Sequence, residues 1–306
     1  MPDMMGQMDI AFPNLGIYLS NIPKNFEVFG FTIALYGVII ATGMMIAVST
    51  VAKIAAKEGL VADEIWNVSI WVIIFSILGA RAYYVIFSWD EYKNNLAEII
   101  NIRNGGLAIY GGIIAGFCTF AIYSRIKKLN FLRYTDVIVN GLLIGQILGR
   151  WGNFTNREAF GEYTNSLFAM RIPLVMVRSV DITPLMSQHI LPGINYIQVH
   201  PTFLYESFCN LCILILLIMY RKSKKAFTIS EFRAKKEEVK KSRFDGEIML
   251  MYLGGYGIAR FFIEGLRTDQ LQIGSSGIAV SQMLGIILFA AALIIDLYIR
   301  FGKKSS

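Results

Sequence analysis

The sequence predicts an all-α, polytopic membrane protein with seven transmembrane helices, and three observations carry that prediction. Over 306 residues the chain is 55% hydrophobic and only 17% charged, too apolar for a soluble domain of this length. Its apolar runs recur at roughly membrane-spanning length, about 20 residues. Its lysines and arginines collect after every second run. The runs lie near Phe31–Val51, Ile65–Phe87, Leu107–Tyr123, Val137–Leu148, Phe203–Tyr220, Ile248–Ile263 and Ile278–Ile299. The fourth is short and is accompanied by Asp136, Asn140 and Gln146, so its ends are the least sharply drawn.

Orientation follows from the basic residues, because cytoplasmic loops of membrane proteins carry the Lys/Arg excess. Lys53 and Lys57 follow the first run; Arg125, Lys127, Lys128 and Arg133 follow the third. Ten basic residues from Arg221 to Arg243 follow the fifth, and Arg300, Lys303 and Lys304 follow the seventh. Nineteen of 29 basic residues therefore fall on one side. The expected topology has the N-terminus outside, the C-terminus in the cytoplasm and residues 150–199 facing outward. The net charge of +7 is then explained by topology and by attraction to anionic inner-leaflet lipid, with no call for a nucleic-acid partner.

Residues 1–30 lack a basic residue before Lys24, unlike the charged start of a cleavable signal peptide. Phe12, Pro13, Leu15, Ile17, Tyr18 and Leu19 instead predict a segment at the outer interface. Residues 31–149 are expected to hold the first four spans. Residues 150–199 contain Pro173, Pro184, Pro192 and Gly193 and are too long for a simple connection, which predicts a small extracytoplasmic cap. Residues 200–306 carry the last three spans and a basic cytoplasmic loop, 221–245, in which Lys222–Arg243 reads as a solvated loop or short amphipathic helix. Cys118, Cys209 and Cys212 sit inside apolar runs, so the Cys209-x-x-Cys212 spacing reads as packing. With His189 and His200 as the only histidines, a histidine-rich metal site is excluded. Gly141, Gly145 and Gly149, like Gly112 and Gly116, recur every four residues, a spacing that lets helices approach closely. No Walker or Rossmann pattern is present.

Four polar clusters interrupt this pattern on the outward side. Gly105–Gly112 places Tyr110 between paired glycines, either as irregular backbone near a ligand or as a helix cap. Gly149–Gly161 packs Arg150, Asn153, Asn156, Arg157 and Glu158 against the end of an apolar run. An unpaired charge in such a place costs about 2.5–3.5 kcal/mol at mid-bilayer, so these groups need partners or an anionic ligand. His200–Glu206 opens the fifth run, and helical spacing allows His200 and Glu206 to share a cavity. Tyr256, Arg260, Glu264 and Arg267 follow at four, four and three residues and so form one stripe. Arg260 and Glu264 either neutralise each other or serve a site in which guanidinium groups bind a phosphate in bidentate fashion. Together the clusters describe an outward-facing, membrane-embedded site for an anionic lipid headgroup. A transporter fits less well, since no internal repeat or matching pair of broken helices is visible. A phospholipid-alcohol phosphotransferase would need a cluster of aspartates for metal ions, which the chain lacks.

In this order, the four clusters resemble the prolipoprotein diacylglyceryl transferases of bacteria, over nearly the whole chain. The most specific stretch is Gly149-Arg150-x-Gly152-Asn153-Phe154-x-Asn156-x-Glu158-x-x-Gly161. The resemblance implies transfer of a diacylglyceryl group from phosphatidylglycerol to the lipobox cysteine thiol of a prolipoprotein signal peptide, forming a thioether and releasing glycerol 1-phosphate. It implies no cofactor and no metal, a multi-pass place in the bacterial cell membrane, and an active site towards the extracytoplasmic side. By the same resemblance Arg150, Arg260, Tyr110, Glu158 and Glu264 are the expected catalytic residues. Arg150 and Arg260 would hold the phosphate, oriented by Glu158 and Glu264. Asn153, Gly161, Tyr36, His200, Glu206, Tyr256 and Arg267, with Arg150, are the expected phosphatidylglycerol-binding residues. The chain departs from the family pattern at Tyr110, where many members carry histidine, so a simple histidine-base mechanism does not carry over.

Overall fold

The computed structural model describes residues 4–102, 105–234, 242–272 and 277–301. In chain order its elements are β1 (Ile10–Phe12), β2 (Ile17–Leu19), β3 (Asn25–Val28), β4 (Phe31–Ala34), α1 (Leu35–Lys57), α2 (Ala62–Phe87), α3 (Trp89–Tyr92), α4 (Ile109–Ile126), α5 (Phe131–Asn156), β5 (Met170–Pro173), α6 (Pro184–Gln188), β6 (Tyr196–Val199), α7 (Thr202–Ser223), β7 (Lys225–Phe227), α8 (Ile229–Ala234), β8 (Ser242–Phe244), α9 (Glu247–Glu264) and α10 (Val280–Phe301). Six of these helices, α1, α2, α4, α5, α7 and α10, are long and apolar enough to cross a membrane. That is the architecture of a polytopic membrane protein. The helix α9 also has 18 residues but includes Glu247, Arg260 and Glu264 among them.

Local chemistry sets the helix ends. At the end of α1, Gly59 adopts φ 73° and Leu60 N–H returns to the Ala55 carbonyl at 2.9 Å, a left-handed stop that a Cβ would penalise. The start of α2 places Asp63 and Glu64 in the first turn, where the helix dipole favours negative charge. Asn130 Oδ1 accepts the Arg133 amide at 3.1 Å to start α5. Glu247 caps its own helix by accepting the Phe244 amide at 3.1 Å. The run expected near Val137–Leu148 is longer at both ends, because α5 extends to Asn156 and so carries Arg150 and Asn153 on its last turns.

The all-helical expectation is corrected by short strands that apolar-run reading cannot detect. One antiparallel sheet has the order β2-β1-β5-β6, pairing β1 with β5 across most of the first half of the chain. Strands β3 and β4 form a separate hairpin, and β7 pairs with β8 in parallel. That last pair also alters the picture of Lys222–Arg243 as a solvated loop, since Arg243 is fully buried and Phe232, Phe244 and Ile299 make a small core there. Lys235, Lys236, Lys240, Lys241, Lys303 and Lys304 lie outside the described residues.

The chain divides into two compact units, Met1–Ala47 with Val139–Ser306, and Val48–Ile138. In the first, Ile10, Phe12, Phe154, Phe160, Met170, Ile172, Ile197, Val199 and Phe203 form a core that joins the four-stranded sheet to the ends of α5 and α7. A second core, with Val139, Leu143, Leu217, Ile248 and Tyr252, joins α5, α7 and α9. In the other unit Val51, Ala55, Ile65, Val68, Phe120, Tyr134 and Val137 are packed together. There Gly79 and Gly111 bring α2 and α4 into backbone contact, leaving no room for a Cβ at either. Buried Arg81 donates to the carbonyls of Glu98, Ile99, Gly105 and Gly106, fixing the chain that leads into α4.

Candidate active site

Arg150 projects from the penultimate turn of α5, and its Nη1 donates to Asn153 Oδ1 at 3.2 Å. Asn153 in turn donates from Nδ2 to Glu158 Oε1 at 2.9 Å, and Asn156 does so at 3.4 Å. Glu158 can reach back to the helix because Arg157 and Ala159, on either side of it, take left-handed backbone at φ 55° and 56°. Non-glycine residues enter that region at a steric cost. The expected pairing of Glu158 with Arg150 is therefore indirect, through the Asn153 amide.

The direct partner of Arg150 is Glu206, on the second turn of α7. Its carboxylate meets Arg150 Nη2 at 2.6 Å, Arg260 Nη1 at 3.1 Å and Arg267 Nη1 at 3.4 Å. Arg260 also pairs with Glu264 at 2.6 Å, and Arg267 lies 3.9 Å from the same carboxylate. The Arg260–Glu264 pairing considered from the sequence thus exists, inside a larger network. The Glu206 side chain is 4% exposed, against 21%, 18% and 10% for the three arginines. A buried carboxylate contacted by three partly accessible guanidiniums leaves outward N–H groups available to a second anion. Helical spacing explains the convergence, since Arg260 and Glu264 are one turn apart on α9 and Arg267 follows its end.

Asp269 was not among the expected residues. It accepts from Arg267 Nε at 2.9 Å and from Nη2 at 2.7 Å, a bidentate pair that fixes the guanidinium plane. Burial opposes charge on both partners, but their mutual hydrogen bonds outweigh it: the pKa of Asp269 is lowered and that of Arg267 raised. The available signal was a carboxylate two residues beyond an arginine of the stripe, a pattern too common in loops to single out.

Gly161, expected to bind lipid, stands where three segments meet. Its N–H donates to the His200 carbonyl at 2.9 Å, His200 N–H to Glu162 at 3.0 Å, and Glu162 N–H to Leu266 at 3.0 Å. A Cβ at position 161 would stand 2.5 Å from the Leu266 carbonyl oxygen and 2.8 Å from the His200 Cβ. The glycine thus holds the α5, α7 and α9 termini in register. The His200 ring lies 3.3 Å from the Tyr205 hydroxyl, and burial lowers its pKa. The structure shows Glu206 engaged with arginines and His200 with Tyr205. Tyr36 packs its ring on Gly152, where a Cβ would come within 2.6 Å. Tyr256 shares a narrow recess with Glu206, Cys209, Asn210 and Arg260. Cys209 and Cys212 are unpaired and half-buried. Tyr110 belongs to the other unit, at the second residue of α4.

The family model for prolipoprotein diacylglyceryl transferase matches residues 23–298. The chain belongs to the prolipoprotein diacylglyceryl transferase family. It is 39% identical over 279 residues to the phosphatidylglycerol–prolipoprotein diacylglyceryl transferase of Finegoldia magna, covering 91% of this chain and 95% of that one. With the Clostridioides difficile transferase of the same name it shares 34% over 281 residues, covering 92% and 96%. With that of Listeria welshimeri it shares 40% over 267 residues, covering 87% and 85%. For a diacylglyceryl transferase, the arginine cluster and the stretch from Arg150 to Gly161 that frames it supply ion-paired guanidinium donors beside apolar helices.

Proposed function

We propose that this chain transfers the sn-1,2-diacylglyceryl group of phosphatidylglycerol to the lipobox cysteine of prolipoproteins, in the first step of bacterial lipoprotein maturation. The observation that carries the reading is the convergence of Arg150, Arg260 and Arg267 on the single buried carboxylate of Glu206. The thiol sulfur attacks the glycerol carbon that bears the phosphate ester. The carbon–sulfur bond forms, the carbon–oxygen bond breaks, and glycerol 1-phosphate departs with the bonding electrons. The thiol proton passes to the departing phosphate or to a carboxylate. Arg150 and Arg260 stabilise the charge that grows on the phosphate, an effect worth about 2.7–4 kcal/mol per preorganised donor in comparable sites. Glu206 and Glu264 hold their guanidinium planes, and Glu158 steadies Arg150 through Asn153. Tyr110, where many members of the family carry histidine, is assigned a hydrogen-bonding role rather than that of proton acceptor.

The same reading makes α9 a span as well, the sixth in chain order, which brings the total to seven in spite of its charges, because Arg260 and Glu264 satisfy each other at one end and Glu247 meets Arg300 at the other. The N-terminus and the segment from Arg157 to Val199 then lie outside the bacterial cell membrane, where exported prolipoproteins are met. Mass spectrometry of a lipobox peptide incubated with purified protein and phosphatidylglycerol tests the reaction. A diacylglyceryl mass gain on the cysteine is expected; an unmodified peptide in the presence of folded protein and lipid overturns the reading.

A further inference from the structure

The β3–β4 hairpin carries an unusual distribution of apolar residues. Its register pairs Asn25 with Ala34, Phe26 with Ile33, Glu27 with Thr32 and Val28 with Phe31. Side chains alternate along a strand and cross-strand partners share a face. One face is therefore Phe26, Val28, Phe31 and Ile33, and the other is Asn25, Glu27, Thr32 and Ala34. The apolar face lies open: Phe31 is 75% exposed, with Phe26 at 38% and Val28 at 36%. The two-residue turn adds Phe29, 98% exposed. Phe29 and Gly30 both take positive φ, 50° and 80°, the pattern of a type I′ turn whose first position favours asparagine or aspartate. A bulky aromatic there costs backbone energy and offers nothing to the protein core in return.

A two-stranded hairpin is marginal in water unless its apolar face is covered. We propose that the face and tip of this hairpin rest in the outer surface of the lipid bilayer, as an interfacial anchor. Chain continuity supports that occupant. Ala34 is followed directly by α1, a helix long and apolar enough to cross a membrane, and Leu35 N–H closes on the Lys24 carbonyl at 2.9 Å, so the base of the hairpin is fastened to the helix start. The strands rise about 3.3 Å per residue, which keeps the tip within roughly 15 Å of that boundary. No lysine or arginine occurs between Lys24 and Lys53, so apolar burial rather than attraction to anionic headgroups drives the contact. The outer strand edges carry unpaired backbone groups, which limits the depth to the headgroup boundary with only side chains reaching the acyl chains. An extended signal peptide would pair along a strand edge through its backbone; the apolar residues here lie on the face and at the turn, which lipid covers and an added strand does not.

The anchor also lies near the site along the chain, since Tyr36, two residues beyond Ala34, packs on Gly152. This inference rests on α1 crossing the membrane, and only its kinetic consequence rests on the proposed reaction. Single cysteines introduced as Phe29→Cys, Phe31→Cys and Thr32→Cys, each labelled with an environment-sensitive fluorophore in lipid nanodiscs, test it directly. Labelling of the three native cysteines is subtracted using the parent chain. Emission at positions 29 and 31 is expected to shift to the blue and to be quenched by lipid-borne quenchers, while position 32 reports water. Three water-like signals overturn the proposal, and so does shielding of position 29 that arises only on adding a lipobox signal peptide. Phe29→Asn with Phe31→Thr removes the apolar tip while favouring the turn and keeping strand preference. For this variant the apparent KM for phosphatidylglycerol in vesicles should rise several-fold with kcat retained, and the difference should vanish in detergent micelles; an unchanged KM in vesicles counts against the anchor. An inactive parent chain would sink the transfer reaction and leave the fluorescence result standing.

Discussion

Glu206 bears more of the site than its carboxylate alone indicates, because Arg150, Arg260 and Arg267 all converge on it. Glu206→Gln keeps the shape and removes the charge, leaving three guanidiniums to repel one another. Breaking a buried pair in this way typically costs about 3–5 kcal/mol, so thermal unfolding in detergent should move to markedly lower temperature and transfer should be nearly lost. An unshifted unfolding curve would show the network to be incidental. Arg150→Lys should also lose most activity at equal abundance, because a point charge cannot hold Asn153 and Glu206 together as the planar fork does. For Tyr110, removal of the hydroxyl in Tyr110→Phe should cost activity by the roughly 1–3 kcal/mol of an unmade hydrogen bond, and Tyr110→His should remain active; full activity of the phenylalanine variant would leave the hydroxyl without a role. Asp269 gives a pH dependence with a defined sign. Its pKa in the folded chain is lowered, against burial, by the Arg267 hydrogen bonds. The resulting stability is present above the unfolded value of about 3.9 and is lost as pH falls through the lower folded value. Unfolding followed by near-ultraviolet circular dichroism should therefore become easier below about pH 4, and Asp269→Asn should flatten that acid limb.

At the scale of elements, buried Arg157 acts as a clamp. It donates to the Thr155 carbonyl at 2.7 Å, to Met8 at 2.8 Å and to Ile22 at 2.6 Å, tying the N-terminal segment to the turn that aims Glu158. Arg157→Ala should expose residues near Ile22 to limited proteolysis and lower activity through Glu158; unchanged cleavage would refute the clamp. The sequence pointed to partners for both arginines of that stretch, but it could not separate Arg150, which faces carboxylates, from Arg157, which is spent on carbonyls. The distinction depends on which residues of a distant segment arrive. Long apolar helices were legible because burial in lipid demands a contiguous run, and α1, α2, α4, α5, α7 and α10 follow from it. The sheet was not, because β1, β2, β5 and β6 are three or four residues each and pair across the chain. Arg260, Glu264 and Arg267 were legible as a stripe for the opposite reason: helical spacing is local. The role of Gly161 was hidden, because a glycine's need for close approach shows only when His200 and Leu266 are beside it.

The topology proposed for the molecule as a whole can be checked by labelling. A cysteine introduced at Asn165 should react with a membrane-impermeant thiol reagent in intact cells, and one at Ser230 should not, after allowance for Cys118, Cys209 and Cys212. The reverse pattern would turn the arginine cluster towards the cytoplasm. On the outward orientation, the charge balance of the site sets how lipid enters and product leaves. Arg150, Arg260 and Arg267 are matched by Glu206, Glu264 and Asp269, so the resting cluster is close to neutral and holds no surplus cation to draw a phosphate from afar. Phosphatidylglycerol, carrying one negative charge, would enter by exchange, with its phosphate taking guanidinium N–H groups over from Glu206. Once the ester breaks, the departing glycerol phosphate approaches two negative charges beside three carboxylates. The same ion pairs that let a charged cluster persist next to lipid would then work as a self-clearing exchanger, releasing a soluble dianion while the neutral lipidated thioether stays behind in the bilayer.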